Sequence, residues 1–452
     1  MPCKKPVRTL RNRFRLYRRC TASFQLSNPP KSIRAGSAYV LRVFSVNKSA
    51  TTASYFDFSK TRSFVAMFGL PGCQVPRCVP FTAKMPSARI SYISGDDRSV
   101  SRMARLPMFA LRALRPRRRP SSGFLQTNLV SDTPGTAAHT DPFLINPWGI
   151  AFEPGQSFFI ADNNGGSAKV FDPSGNPDIP VGVDVPGPSG SASASTPTGI
   201  VFNPIAQDLL VRGTPAQFLF ATEDGTISTW ATINGNFPAN ALLAVDDSAS
   251  GAIYKGLAIL TPQCCREYLA LANFHAGFIA TYDVTFTLLG TLGSFKDSNL
   301  PTGYAPFNIQ QIGTQVFVTY AVQDAAGLNP VPGSGNGIVN VFDQEGNFIR
   351  RFASNGSLNA PWGIVQASAN FAGFSNDILI GNFGDGTVDA FDLATGNFLG
   401  QLKDASGKVI SNPGLWSLVF RSDGVGSPDT LYFTAGSSGE DHGLFGAISP
   451  QN

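Results

Sequence analysis

Histidine is nearly absent from this sequence, with three in 452 residues, and cysteine is sparse at six. Metal centres and nucleophilic triads draw on those side chains, so the shortage narrows the chemistry at once. Cys3, Cys20, Cys73, Cys78 and the adjacent Cys264 and Cys265 show none of the paired spacings of a zinc site. The adjacent pair reads as two ordinary thiols, because bridging neighbours strains the peptide. His139, His275 and His442 fall in polar or Gly-rich turns, and no Gly-x-Ser-x-Gly elbow precedes a helix. A Ser or Cys triad is therefore not expected. No apolar run reaches the roughly 18 residues that a membrane-crossing helix needs.

Acids are missing from one end. Residues 1–120 hold Asp57, Asp96 and Asp97 against 25 of the 35 lysines and arginines, a balance of +22. The rest holds 10 bases and 27 acids, a balance of −17. Opposite signs in two parts of a chain indicate a tail and a domain. Residues 1–123 are expected to be a basic, largely disordered leader, or sequence upstream of a true start at Met103 or Met108. An Arg/Ser-rich, acid-poor segment also suits organellar targeting. Clustered arginines could instead neutralise phosphates, but no nucleic-acid-binding fold accompanies them, so nucleic acid is not the expected partner. The apolar stretch Phe64–Leu70 is too short and too far along for a secretory signal.

Residues 124–452 are rich in Gly, Pro, Asn, Asp and Phe and carry short apolar runs, the composition of many short strands joined by tight turns. One pattern recurs: Asn146-Pro-Trp-Gly-Ile150, Thr196-Pro-Thr-Gly-Ile200, Ile253-Tyr-Lys-Gly-Leu257, Ala305-Pro-Phe-Asn-Ile309, Ala360-Pro-Trp-Gly-Ile364 and Gly414-Leu-Trp-Ser-Leu418. Its fourth position steps from Gly149 through Gly199, Gly256, Asn308 and Gly363 to Ser417 at intervals of 50, 57, 52, 55 and 54. Each interval suits one propeller blade.

A second strand in each period ends on a small or polar residue, as in Phe159–Asn163 or Leu379–Asn382. A Gly hairpin follows, then an alternating third strand that ends in an aromatic and an Asp, as in Val339–Asp343. The expected fold is all-β: a six-bladed β-propeller of four-stranded antiparallel blades. The last period stops at its third strand, Leu444–Ile448. Phe124–Val130 alternates like a strand and is predicted to supply the missing outer strand, which closes the ring.

The Pro-x-Gly-apolar pattern resembles that of NHL-repeat propellers. Thr127-Asn-Leu-Val-Ser-Asp132, the Asn-Pro-Trp-Gly-Ile of residues 146–150 and Gly381-Asn-Phe-Gly-Asp-Gly386 resemble a conserved, mostly bacterial family of six-bladed propellers without an established activity. The resemblance implies an exported, periplasmic or extracellular protein, although this chain shows no clear signal.

Propeller ligands are expected where loops from all blades meet around the axis. Trp148, Asp162, Asn163, Asn273, Asn308, Trp362, Asn382 and Trp416 lie near such loops, with inter-blade packing and turn capping as their other reading. The expectation is a monomeric binding or interaction scaffold for a small molecule or protein, without catalytic residues, cofactor or metal. The alternative is a lactonase-like or esterase-like hydrolase, because lactonase-type relatives of the NHL group hold an axial divalent cation such as Ca²⁺. Asp162, Asn273, Asn308 and Asn382 would then supply its oxygens.

Overall fold

The structure is a computed structural model that describes residues 123–451, apart from 180–181, 206, 263–265 and 290–294. The expectations for the leader and for Cys264 and Cys265 lie outside the described residues.

Each sequence period becomes one blade, six in all, and a separate two-stranded sheet, Leu210–Val211 with Thr214–Pro215, lies in the second period. The first blade is Pro147–Phe152, Phe158–Asp162, Ser167–Phe171 and Val183–Asp184, and the second is Pro197–Phe202, Phe218–Thr222, Thr226–Trp230 and Leu242–Asp246. The third has three strands among the described residues, Tyr254–Leu260, Tyr268–Asn273 and Phe278–Tyr282. The fourth is Tyr304–Ile312, Gln315–Val322, Ile338–Phe342 and Phe348–Ser354, and the fifth is Pro361–Gln366, Ile378–Asn382, Val388–Phe391 and Phe398–Gln401. Leu415–Val419, Leu431–Gly436 and His442–Pro450 begin the sixth, and Phe124–Ser131 completes it. That last strand runs antiparallel to His442–Pro450, from Phe124 opposite Pro450 to Ser131 opposite Leu444, with a bulge between Asn128 and Val130. The first strand of each blade contacts that of the next, and the sixth contacts the first. The ring is closed.

The core lies between blades. In the second, first and fifth blades the aromatic that ends the third strand packs on the preceding blade: Trp230 against Phe159, Phe171 against Phe445 of the sixth blade, and Phe391 against Phe352. Burying such a ring contributes on the order of 2–3 kcal/mol. The Asp that follows the third strand turns the chain outward, as its pattern implies. Asp172 Oδ1 accepts the Ser174 and Asn176 N–H groups at 2.8 and 2.9 Å, and Asp343 Oδ1 accepts those of Glu345 and Asn347 at 3.0 and 2.8 Å. No helix among the described residues is long and apolar enough to cross a membrane.

Around the axis the small residues of the repeat permit a close approach. A Cβ on Gly149 would lie 2.7 Å from the Thr198 carbonyl oxygen, and one on Gly199 would lie 2.7 Å from the Leu257 nitrogen. Both atoms belong to the backbone of the next blade. The first strands therefore touch at this level and leave a narrow axial cavity of about 40 Å³, bordered by Gly149, Gly199, Asn308, Trp362, Gly363 and Ser417 among others.

Candidate functional site

One residue before that small layer lies the position whose rings cluster at the axis. It holds Trp148, Thr198, Lys255, Phe307, Trp362 and Trp416. Trp148 stacks on Trp416 with ring centroids 3.5 Å apart, and Trp362 stands edge-on to both at 6.1 and 5.8 Å. Phe307 and Phe383 pack against Trp416 at 5.9 and 4.3 Å. Together these rings plug the axis.

Lys255 is the one charged residue in the layer and is 1% exposed. Its Nζ donates to Glu223 Oε1 and lies 5.2 Å from the Trp148 ring centroid and 5.8 Å from that of Phe274. A buried ammonium is tolerated only with a carboxylate beside it, and ring faces add cation–π attraction. Glu223 leads the hairpin after the second strand. There its N–H bonds the Thr196 carbonyl, as Asn163, Phe274 and Phe383 bond theirs to Asn146, Ile253 and Ala360 in other blades.

A second carboxylate approaches from the sixth blade. Glu440 Oε2 accepts from Asn146 Nδ2 at 2.8 Å, and Asn146 Oδ1 in turn accepts from Trp416 Nε1 at 2.9 Å. Burial holds the Glu440 carboxyl above its ordinary range, with Glu223 adding repulsion while the Asn146 bond and Lys255 act the other way. Ser438, Gly439 and Glu440 take φ of 55°, 75° and 74° in succession. A left-handed conformation costs a non-glycine residue about 1–3 kcal/mol. Asn163 Nδ2 reaches both Glu223 Oε2 and the Pro197 carbonyl, at 3.1 and 3.2 Å. Trp148 Nε1 is buried without a hydrogen-bond partner among the described residues.

The eight residues expected near the axis divide into two groups. Trp148, Trp362 and Trp416 form the plug, Asn163 stands beside Glu223, and Asn308 lines the axial cavity while its Nδ2 bonds the Trp362 carbonyl. Asp162, Asn273 and Asn382 do not converge with them. Each is a bracket within its own blade that accepts a loop N–H: Ile145 to Asp162 at 2.8 Å, Ile253 to Asn273 at 3.4 Å and Asn359 to Asn382 at 2.9 Å. Burial pushes Asp162 up to about 7. The four oxygens that an axial cation would draw on are thus committed separately, so they do not fit such a cage. Among the described residues no group of three His, Cys, Asp or Glu is placed to hold a metal ion.

Lys255, Glu223 and Glu440 escape a reading that looks for shared motifs, since each departs from its repeat. Laid in register, the repeats do mark the first two, as the charged occupants of positions held elsewhere by aromatic or neutral residues. Glu440 lies in a turn with no counterpart.

No protein-family model matches the chain. Its fold is similar to the soluble aldose sugar dehydrogenase of Escherichia coli in the apo form, at 13% identity over 73% of this chain and 100% of that one with a TM-score of 0.47. It is also similar to a streptogramin B lyase, at 13% identity over 73% and 98% with a TM-score of 0.42. In sequence, the chain is 32% identical over 329 residues to the uncharacterized protein R648 of Acanthamoeba polyphaga mimivirus, covering 71% of this chain and 78% of that protein. The uncharacterized protein L690 of the same virus is 30% identical over 331 residues, covering 71% and 84%. On that identity and coverage, this chain belongs to the family of the mimivirus proteins R648 and L690.

Proposed function

We propose that this chain is a binding propeller that takes its ligand on the axial face, above the tryptophan plug. The observation that carries the reading is the ion pair of Lys255 and Glu223 at the plug, with Glu440 facing it from the sixth blade. Setting a buried ammonium and two partly buried carboxylates at the centre of a ring stabilises it less than apolar packing would, so stability alone does not account for them. A ligand that meets these charges accounts for them and for the strained turn that carries Glu440.

The test is thermal unfolding of the full chain in the presence of a panel of charged and neutral small molecules. A ligand at about 100 times its Kd adds about 2.7 kcal/mol, which is readily seen as a rise in Tm. At least one compound should stabilise the chain and lose its effect in the double variant Glu223→Gln/Lys255→Met, which removes both members of the ion pair together. The same effect should survive Asp404→Asn, on an exposed turn outside the site. If every stabilising compound ignores the axial substitutions, this reading fails.

A further inference from the structure

We infer that the axial site takes a small amino alcohol, its protonated amine set between Glu440 and Glu223 and a hydroxyl oxygen accepting from Trp148 Nε1. The inference rests on the binding-propeller reading and names its ligand class.

The donors at the site are already committed. Lys255 Nζ is spent on Glu223 and on the faces of Trp148 and Phe274. Asn146 Nδ2 serves Glu440 Oε2, Asn163 Nδ2 serves Glu223 Oε2 and the Pro197 carbonyl, and Asn164 Nδ2 serves the Glu440 carbonyl at 2.8 Å. The acceptors are more open. The Glu223 side chain is 25% exposed, Glu440 is partly exposed, and carboxylate oxygens can accept more bonds than these receive. Two carboxylates face one buried lysine, leaving one negative charge uncompensated. A ligand here must bring hydrogen-bond donors and positive charge, which an ammonium does and an anion does not.

Trp148 makes a second, independent demand. Its indole is 1% exposed, stacks on Trp416 and lies with its ring centroid 5.2 Å from Lys255 Nζ, and its Nε1 has no partner among the described residues. A buried donor left unmade is costly, and it needs an oxygen acceptor. An amine and a hydroxyl on one small molecule satisfy both demands. A bare divalent cation brings the charge but not the rest, because it supplies neither a hydrogen-bond donor nor an acceptor and draws on about six to eight oxygen ligands.

The test is isothermal titration of the full chain with serinol, 2-amino-1,3-propanediol, and with glycerol, which carries a hydroxyl in place of the amine. Serinol should bind at least about tenfold more tightly than glycerol, and Glu440→Gln should weaken serinol by about tenfold or more. Should that variant fail to fold, the unaltered chain still decides the matter. Serinol affinity must fall on acidification, as Glu440, whose carboxyl burial holds above its ordinary range, takes up its proton. Equal binding of serinol and glycerol, indifference to Glu440→Gln, a flat pH profile, or calcium chloride displacing serinol would each overturn the assignment. If serinol fails while another compound loses its stabilisation with the axial substitutions, the binding reading stands and the amino alcohol falls. If no compound responds to them, both fall.

Discussion

Asp162 shows how a repeat can be used to test a single residue. Its carboxylate receives the Ile145 N–H, the same bracket that Asn273 and Asn382 make with neutral amides in their blades. An amide there does the work without a charge to bury. Because burial raises Asp162 from 3.8 to about 7, the folded state resists ionising it, and stability is lost as pH climbs through that interval. Asp162→Asn should therefore leave stability little changed near pH 4 and raise it near pH 8, with about 4 kcal/mol as the upper bound at about 1.4 kcal/mol per unit. Chemical denaturation at the two pH values measures the difference, and a variant no more stable at pH 8 would refute the account. The same register comparison explains what was legible at the site. The three tryptophans, Asn163 and Asn308 were legible because they sit in the recurring motif. Lys255 and Glu223 became visible only when read against it, and no pattern in the sequence places Glu440 opposite them.

At the scale of elements, the strand Phe124–Ser131 carries the ring closure, and it was legible because it alternated while having no other employment. The latch at its end was not legible, since it joins residues about 310 positions apart. His442 Nδ1 and Asp132 Oδ2 lie 2.6 Å apart, Asp132 Oδ1 accepts the Gly443 N–H at 2.9 Å, and Thr133 Oγ1 lies 3.3 Å from the same ring nitrogen. Asp132 holds the His442 ring above its ordinary value, with a smaller push from Asp441. Although partial burial works against it, the bonds from His442 and Gly443 hold the Asp132 carboxyl below its ordinary value. The raised histidine contributes below its ordinary 6.5 and loses its contribution as pH rises through the folded value; the depressed aspartate contributes above 3.8 and loses its contribution on acidification. The latch is thus fullest between those limits. His442→Gln should lower Tm most in that window and progressively less above it. A Tm difference that is constant from about pH 5 to about pH 9 would show that the pair does not latch the ring.

At the scale of the whole molecule, the number of blades is a matter of how closely six first strands can approach one axis. Apolar faces between blades supply attraction but set no spacing, because side chains of many shapes can be repacked between sheets. The small layer of Gly149, Gly199, Gly256, Asn308, Gly363 and Ser417 sets it, since there backbone meets backbone. A methyl group on Gly149 would stand 2.7 Å from the Thr198 oxygen and 2.8 Å from the Ile200 nitrogen, neither of which can rotate away. In an open stack the first blade could shift. In this ring the shift must be absorbed by the remaining contacts and by the strand that closes the sixth blade. Gly149→Ala should therefore destabilise the fold by on the order of 3 kcal/mol, beyond the usual effect of one added methyl. Ser417→Ala, which keeps a Cβ that the layer already accommodates, should cost less than about 1 kcal/mol. Paired thermal unfolding of the two variants separates the cases. Equal Tm values would mean that spacing at the axis is slack and that the blade count is set elsewhere.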